Sequence, residues 1–432
     1  MRRALAALTV LLAALWAPAA ASAGTEAQLR AALDRYMRAA GSGSGAHVVD
    51  LRDGRTLYTR AAHVARIPAS NEKLYTTAAA LARFGPSGRL PTRVLGDGEL
   101  GEDGVYRGNL YLRGGGDPTF GSPGFNRRAY GTGASVTELA RSVAATGIER
   151  VTGAVHGDET LFDGRRGSPA SGYAFSIYIG APLSALAYDR GLANRQGSAL
   201  QRRPARFAAD RLRRALGAAG VRVAGGAGER RTPPGARELA AVQSPTMAVL
   251  SRLTNVPSDN FFAEMLLKAL GARFAGRGTT AAGAAAARTY LIAGAGVAPR
   301  LADGSGLSRR NRTSPRQVVR LLDHMDRTAT LAVPFRASLA VACRSGTLAG
   351  RMCRTRASGR CRGKTGTLSG VSALSGYCDV GGDRVLAFSI LMNRVNVSGA
   401  RALQDRMGAA IASYVPSIAS RAGSSRTSTP RR

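Results

Sequence analysis

Only three lysines, Lys73, Lys268 and Lys364, occur in this chain, although lysine and arginine together number 61. A guanidinium stays protonated in proteins and cannot take a proton from a nucleophile, whereas a lysine amine can. Lys73 stands in the stretch PASNEKLY, three residues after Ser70. At a helix start, that spacing puts hydroxyl and amine on one face. A serine alcohol is a poor nucleophile at neutral pH and needs a base within reach. Lys73 would serve only if uncharged, which burial or a second nearby cation would favour. By itself a serine three residues before a lysine is common, and a surface lysine behind a helix cap reads equally well.

Two further groups have the same double reading. Ser258-Asp259-Asn260 follows Pro257 at a helical junction. Ser258 could relay a proton and Asn260 could orient an amide, though all three types are ordinary helix caps. Lys364-Thr365-Gly366-Thr367 ends a predicted strand, whose backbone could pair with an extended peptide. Gly366 would permit close approach, while Lys364 and the threonine hydroxyls suit a carboxylate. The backbone N–H groups of Thr367 and Ser70 could hold a developing oxyanion. The bland alternative is a strand edge made polar against aggregation.

The elements that must position these groups follow from periodicity and punctuation. A helix is expected over 26–40, a hairpin from Ala46–Leu51 to Thr56–Tyr58, and a helix from near Ser70 to Phe84 with Pro68 just before it. Short strands and glycine turns fill 89–240, with one helix expected at 135–145. Helices follow at 246–271 with a break at Pro257, at 279–293 and at 314–325. Strands are then expected at 362–367, 372–380 and 385–393, and a last helix at 400–412. The first and last parts can share one sheet, leaving 89–240 as an insertion. The expected partition is a leader at 1–23, a core in two parts (24–88 and 241–414), the insert (89–240) and a disordered basic tail (415–432).

The leader reading rests on Arg2 and Arg3, the apolar run Ala4–Trp16 and Ala21-Ser22-Ala23, with cleavage before Gly24. The run is too short for a membrane helix. An exported chain with four clustered cysteines, Cys343, Cys353, Cys361 and Cys378, is expected to form two disulfides, with three pairings open. A zinc site is the rival, but the spacing lacks a tight Cys-x2-Cys unit. The net charge of +34 raises nucleic acid as a partner. The arginines are scattered and no reader motif is present, so a loose attraction to anionic wall or membrane surfaces is expected instead.

SNEK, SDN and KTGT, in this order on helix, loop and strand, form the combination found in penicillin-binding proteins and serine β-lactamases. The chain resembles the D-alanyl-D-alanine carboxypeptidase/endopeptidase type of penicillin-binding protein, the peptidase S13 group. The likeness extends through VVDLRDGRTLY, LYLRGGGDPTF, SDNFFAEMLLKALG, LADGSGLSRRNRTSP and GKTGTLSGVSALSGYCDV. It implies an α+β fold: a β-lactamase/transpeptidase-like core, an antiparallel sheet flanked by helices, carrying a large mostly-β insertion. It implies Ser70 as the acylated nucleophile, Lys73 as the base, Ser258 as proton relay and Lys364 as completing the network. Asn260, Thr365, Gly366 and Thr367 would hold substrate, a peptidoglycan stem peptide ending in D-Ala-D-Ala. Penicillins would acylate Ser70, and no metal or other cofactor is implied. The cysteines depart from the group's pattern and would decorate the KTGT strand. Asp303 and Arg309 to Asn311 are expected to be structural. An endopeptidase cutting crosslinks with the same site is the alternative activity. From other classes come a dedicated β-lactamase, which lacks a clear deacylation base here, and a non-catalytic wall-binding protein, which would not need both Ser70 and Lys73.

Overall fold

The computed structural model describes residues 24–194 and 196–415. The expected leader, and all of the expected tail except Val415, lie outside these residues. Among the described residues no helix is long and apolar enough to cross a membrane.

The centre is a six-stranded antiparallel sheet, in the order Ala340–Val341, Cys361–Leu368, Val371–Gly381, Arg384–Asn393, Ser44–Asp50, Thr56–Arg60. The first strand of the chain thus lies beside the last, with Val48 opposite Phe388. Each face of the sheet is covered. On one side Leu29, Leu33 and Met37, spaced along one face of helix Glu26–Ala39, meet Met407 and Ile411 of helix Val397–Ala412. On the other, helices Glu72–Phe84, Asn260–Phe274 and Pro315–Arg327 form the larger core. Helix Glu72–Phe84 is buried on every side from Glu72 to Leu81, so its polar residues face protein wherever they point.

The insert has a core of its own, including Val94, Leu112, Leu139, Val143, Leu212 and Leu216. Its entering strand Pro91–Gly96 and leaving strand Arg237–Gln243 are antiparallel neighbours, so the two ends of the insert meet at one place. Helices Val136–Ala144 and Pro204–Ala218 pack on its strands. The second of these was not expected from the sequence, because its stripe of Ala208, Leu212 and Leu216 is diluted by alanine and four arginines. Residues 160–190 turn back to the core lobe, where Phe162, Ile179, Leu183 and Ala187 join the main core.

The disulfides pair Cys343 with Cys353 and Cys361 with Cys378. The second joins directly opposed residues of neighbouring strands, and the ladder runs on from Cys361 to Leu368 without a register shift. The staple therefore leaves the KTGT strand regular. A 17-residue separation predicts a contribution to stability of about 2–4 kcal/mol. Replacing Cys361 and Cys378 together by alanine is expected to lower the unfolding free energy by about that amount in a denaturant titration.

Candidate active site

Ser70 stands on a single 3-10 turn, Ala69–Asn71, leading into helix Glu72–Phe84. Ala69, just before it, takes a left-handed φ of +47°, uncommon for a residue with a side chain. Two neighbours hold the turn. The Asn71 amide donates to the Lys364 carbonyl at 2.9 Å. Gly306 lies so close that an added Cβ would stand 2.0 Å from the Ala69 carbonyl oxygen.

Lys73 is fully buried, and its Nζ lies 3.1 Å from Ser70 Oγ, 2.6 Å from Asn260 Oδ1 and 2.5 Å from the Ser305 carbonyl oxygen. Burial pushes its ammonium down to about 8, against the opposing pull of Asp303, Glu264, Asp259 and Glu72. Three of those carboxyls are buried around it. Glu264 Oε1 accepts from the Gly304 and Ser305 amides at 3.2 and 2.9 Å. Asp303 accepts from the Gly306 and Ser308 amides and from Asn311 Nδ2 at 2.8, 2.6 and 2.7 Å, and so pins the GSGL loop. Burial raises all three, Glu264 to about 7 and Glu72 well above the usual carboxylate range. Lys364 is also fully buried, with Nζ donating to the Thr365 carbonyl at 2.9 Å, and burial together with Lys73 holds it far below the usual lysine range.

The KTGT strand lies against the Ser70 turn. A Cβ on Gly366 would come within 2.6 Å of the Pro68 carbonyl oxygen and 3.0 Å of the Ser70 nitrogen, so only glycine lets the two backbones approach. Cys361 and Cys378 face each other with Cα atoms 4.0 Å apart, the close spacing of a non-hydrogen-bonded pair. By alternation Gly363, Thr365 and Thr367 turn their N–H and C=O groups away from the neighbouring strand. The outer strand Ala340–Val341 pairs only with Gly363 and Arg362, leaving the edge at Thr365 and Thr367 open to a cleft of about 930 Å³.

Ser70, Ser258, Asn260, Thr365 and Thr367 all line that cleft, and Lys73 and Lys364 lie beneath its floor. Ser258 has a left-handed φ of +65° at the turn before helix Asn260–Phe274. The four cysteines lie outside the cleft lining. Lys268, the third lysine, takes no part: its buried Nζ pairs with Asp163 and donates to the Arg165 carbonyl at 3.0 Å, tying a core helix to the insert.

Several contributors carried no sequence signal. Arg401, on the last helix, donates to Thr367 Oγ1 at 3.0 Å and shares the cleft with Arg309 and Arg351. The Tyr178 carbonyl of the insert accepts from Asn260 Nδ2 at 2.6 Å. Backbone acceptors such as those of Ser305 and Tyr178 have no residue-type signature, and Arg401 is one arginine among many.

The family model for D-Ala-D-Ala carboxypeptidase 3 (S13) matches residues 25–199 and 193–414. A D-alanyl-D-alanine carboxypeptidase of Actinomadura sp. (strain R39) is 33% identical, over 96% of this chain and 91% of its own length. Penicillin binding protein 4 from Haemophilus influenzae superposes with a TM-score of 0.71 at 19% identity, covering 87% of this chain and 97% of that one. A predatory peptidoglycan endopeptidase from Bdellovibrio bacteriovorus superposes at 0.50 with 16% identity, over 81% and 85%. At such identities the two structures speak for the fold, a β-lactamase-like core with an insert.

Proposed function

The chain belongs to the D-Ala-D-Ala carboxypeptidase 3 (S13) family, and from that premise we propose how its residues release the terminal D-alanine of a peptidoglycan stem peptide. It is a serine-type D-alanyl-D-alanine carboxypeptidase. The observation that carries the residue assignment is the buried Lys73 amine 3.1 Å from Ser70 Oγ. A neutral amine has two hydrogens and one lone pair. Asn260 Oδ1 and the Ser305 carbonyl accept the two hydrogens, which leaves the lone pair for the Ser70 hydroxyl.

The peptide lies along the open edge at Thr365 and Thr367, extended as an added strand. Lys73 takes the Ser70 proton as Oγ attacks the carbonyl carbon of the penultimate D-alanine. The N–H groups of Ser70 and Thr367 hold the resulting oxyanion. Collapse breaks the peptide bond, and the departing amine takes a proton passed from Lys73 through Ser258. Water then attacks the ester on Ser70, giving up a proton to Lys73, which returns it to Ser70 Oγ as the ester bond breaks and the shortened peptide leaves. Asn260 orients the substrate amide, Thr365 and Thr367 meet the terminal carboxylate, and Lys364 completes the network beneath them through the Thr365 carbonyl. A β-lactam enters by the same acylation and stalls as the ester.

Only the neutral amine can accept the Ser70 proton, so activity gained on raising pH follows loss of the Lys73 proton. With that loss centred at about 8, the acylation rate should rise about fivefold from pH 7 to pH 8, then flatten. The test is release of D-alanine from a synthetic stem pentapeptide, followed across pH. A rate already flat below pH 7 would remove Lys73 from the role of base. Offering a crosslinked dimer alongside the pentapeptide, with products weighed by mass spectrometry, separates carboxypeptidase from endopeptidase action.

Export through the 1–23 leader fits the two disulfides, which persist in oxidising compartments. Paired entering and leaving strands support the partition into a core of 24–88 and 241–414 with an insert of 89–240. The charge of +34 supports loose attraction to the anionic wall around the substrate.

A further inference from the structure

Three consecutive residues near the end of the insert's return to the core, Asp189, Arg190 and Gly191, have left-handed backbone, with φ of +44°, +58° and +74°. Two of them carry side chains, an arrangement that persists only where its surroundings enforce it. Here they do. Asp189 accepts from the Ser122 amide and hydroxyl at 2.6 and 3.0 Å, and Gln201 Nε2 donates to the carbonyls of Tyr188 and Leu192 at 2.7 and 2.8 Å. The turn aims Arg190 at the core lobe. Its guanidinium meets Asp259 in a two-pronged ion pair, at 2.6 and 3.0 Å, and stands 4.9 Å from the centre of the Phe261 ring.

Asp259 is the middle residue of SDN. It caps helix Asn260–Phe274 by accepting from the Phe262 amide at 3.0 Å, and its neighbour Asn260 touches Lys73. The same insert holds Asn260 from the other side through the Tyr178 carbonyl. The insert thus grips the SDN turn twice, once by charge and once by amide.

We propose that Arg190 is a positioning residue for acylation: the insert uses it to fix the SDN turn and to neutralise Asp259 beside the Lys73 amine. Without that partner, Asp259 would stabilise the Lys73 ammonium and withdraw the base. The other charged or titratable groups facing Lys73 are Glu72, Glu264, Asp303 and Lys364, and those facing Arg190 are Asp259 and Tyr130. Of the acids that face Lys73 among the described residues, Asp259 alone is not enclosed in the core, and Arg190 is the cation paired with it. The insert then does more than shape the cleft, since the core's own machinery depends on it. This inference rests on Lys73 acting as the base.

The test is the pH dependence of acylation by a β-lactam, measured on the full-length protein and its variants, with thermal melting alongside. Arg190→Gln is expected to slow acylation at pH 7 by about tenfold and to move the rising limb up by up to about one pH unit. Arg190→Lys should return the limb toward its original place while leaving the rate low, because one ammonium cannot make both contacts. Arg190→Gln combined with Asp259→Asn should also return the limb, since no unpaired carboxylate remains. Should Arg190→Gln not fold, Asp259→Asn alone is expected to move the limb down. A limb unmoved in every folded variant overturns the proposal, whether or not the rate falls. A wild-type profile with no limb near pH 8 overturns instead the assignment of Lys73, and is seen before any variant is made.

Discussion

Lys73→Ala is expected to cut penicillin acylation of Ser70 by about 10²- to 10⁴-fold, the usual worth of a positioned base. Ser70→Ala should leave no adduct, and mass spectrometry of the wild-type protein should place the adduct on Ser70. The comparison that gives this weight is Lys268→Ala. Both lysines are fully buried, so both substitutions disturb a packed interior. Lys268 ties Asp163 and the Arg165 carbonyl to a core helix, however, and touches nothing in the cleft. Its loss should lower the melting temperature and still permit labelling. For Lys73→Ala the folded protein, checked by circular dichroism, should label at only a small fraction of the normal rate. Equal labelling of folded Lys73→Ala and wild type would end the case for Lys73 as base.

The second large effect is expected from a residue that makes no contact with substrate. Gly306→Ala would place a Cβ 2.0 Å from the Ala69 carbonyl oxygen and 3.0 Å from Glu72 Cβ, at a backbone φ of +86°. Neither neighbour can yield cheaply, one being backbone and the other in the part of its helix that is buried on every side. The Ser70 turn must therefore shift. A displacement of about 1 Å at a nucleophile can cost about 10²-fold in rate. Backbone strain of this kind is expected to cost about 1–3 kcal/mol of stability. Acylation by penicillin should thus fall about 100-fold in a protein that still melts cooperatively. A normal rate would show that the GSGL loop does not set the position of Ser70.

What the sequence disclosed follows from what leaves a mark on residue type. Scarcity of lysine singled out Lys73, Lys268 and Lys364, and the two that fall in the motifs, Lys73 and Lys364, lie under the cleft while Lys268 does not. The strands at the end of the chain were legible because their apolar runs are bounded by turns such as the Gly381–Asp383 hairpin. Helix Pro204–Ala218 was not, since alanine marks a buried face weakly and its arginines obscure the period. The pairing of four cysteines depends on which strands are neighbours, and only the ladder that sets Cys361 opposite Cys378 decides it. The buried carboxyls around Lys73 come from SNEK, from helix Asn260–Phe274 and from Asp303 just before the GSGL loop, and nothing local in the sequence announces their meeting.

The strand Ser44–Asp50 lies between Arg384–Asn393 and Thr56–Arg60, and Gly24 bonds to Ser413 and Val415. A chain made from its amino end therefore presents two paired strands of its central sheet almost at once, and must produce nearly everything else before the inner neighbour of Ser44–Asp50 exists. The insert has no such wait, because Pro91–Gly96 finds Arg237–Gln243 midway through synthesis. Pairing between segments so distant is slow to nucleate. The order of assembly that follows is a peripheral lobe formed first and a catalytic lobe completed last, with the Ser44–Asp50 edge exposed to other chains in the interval.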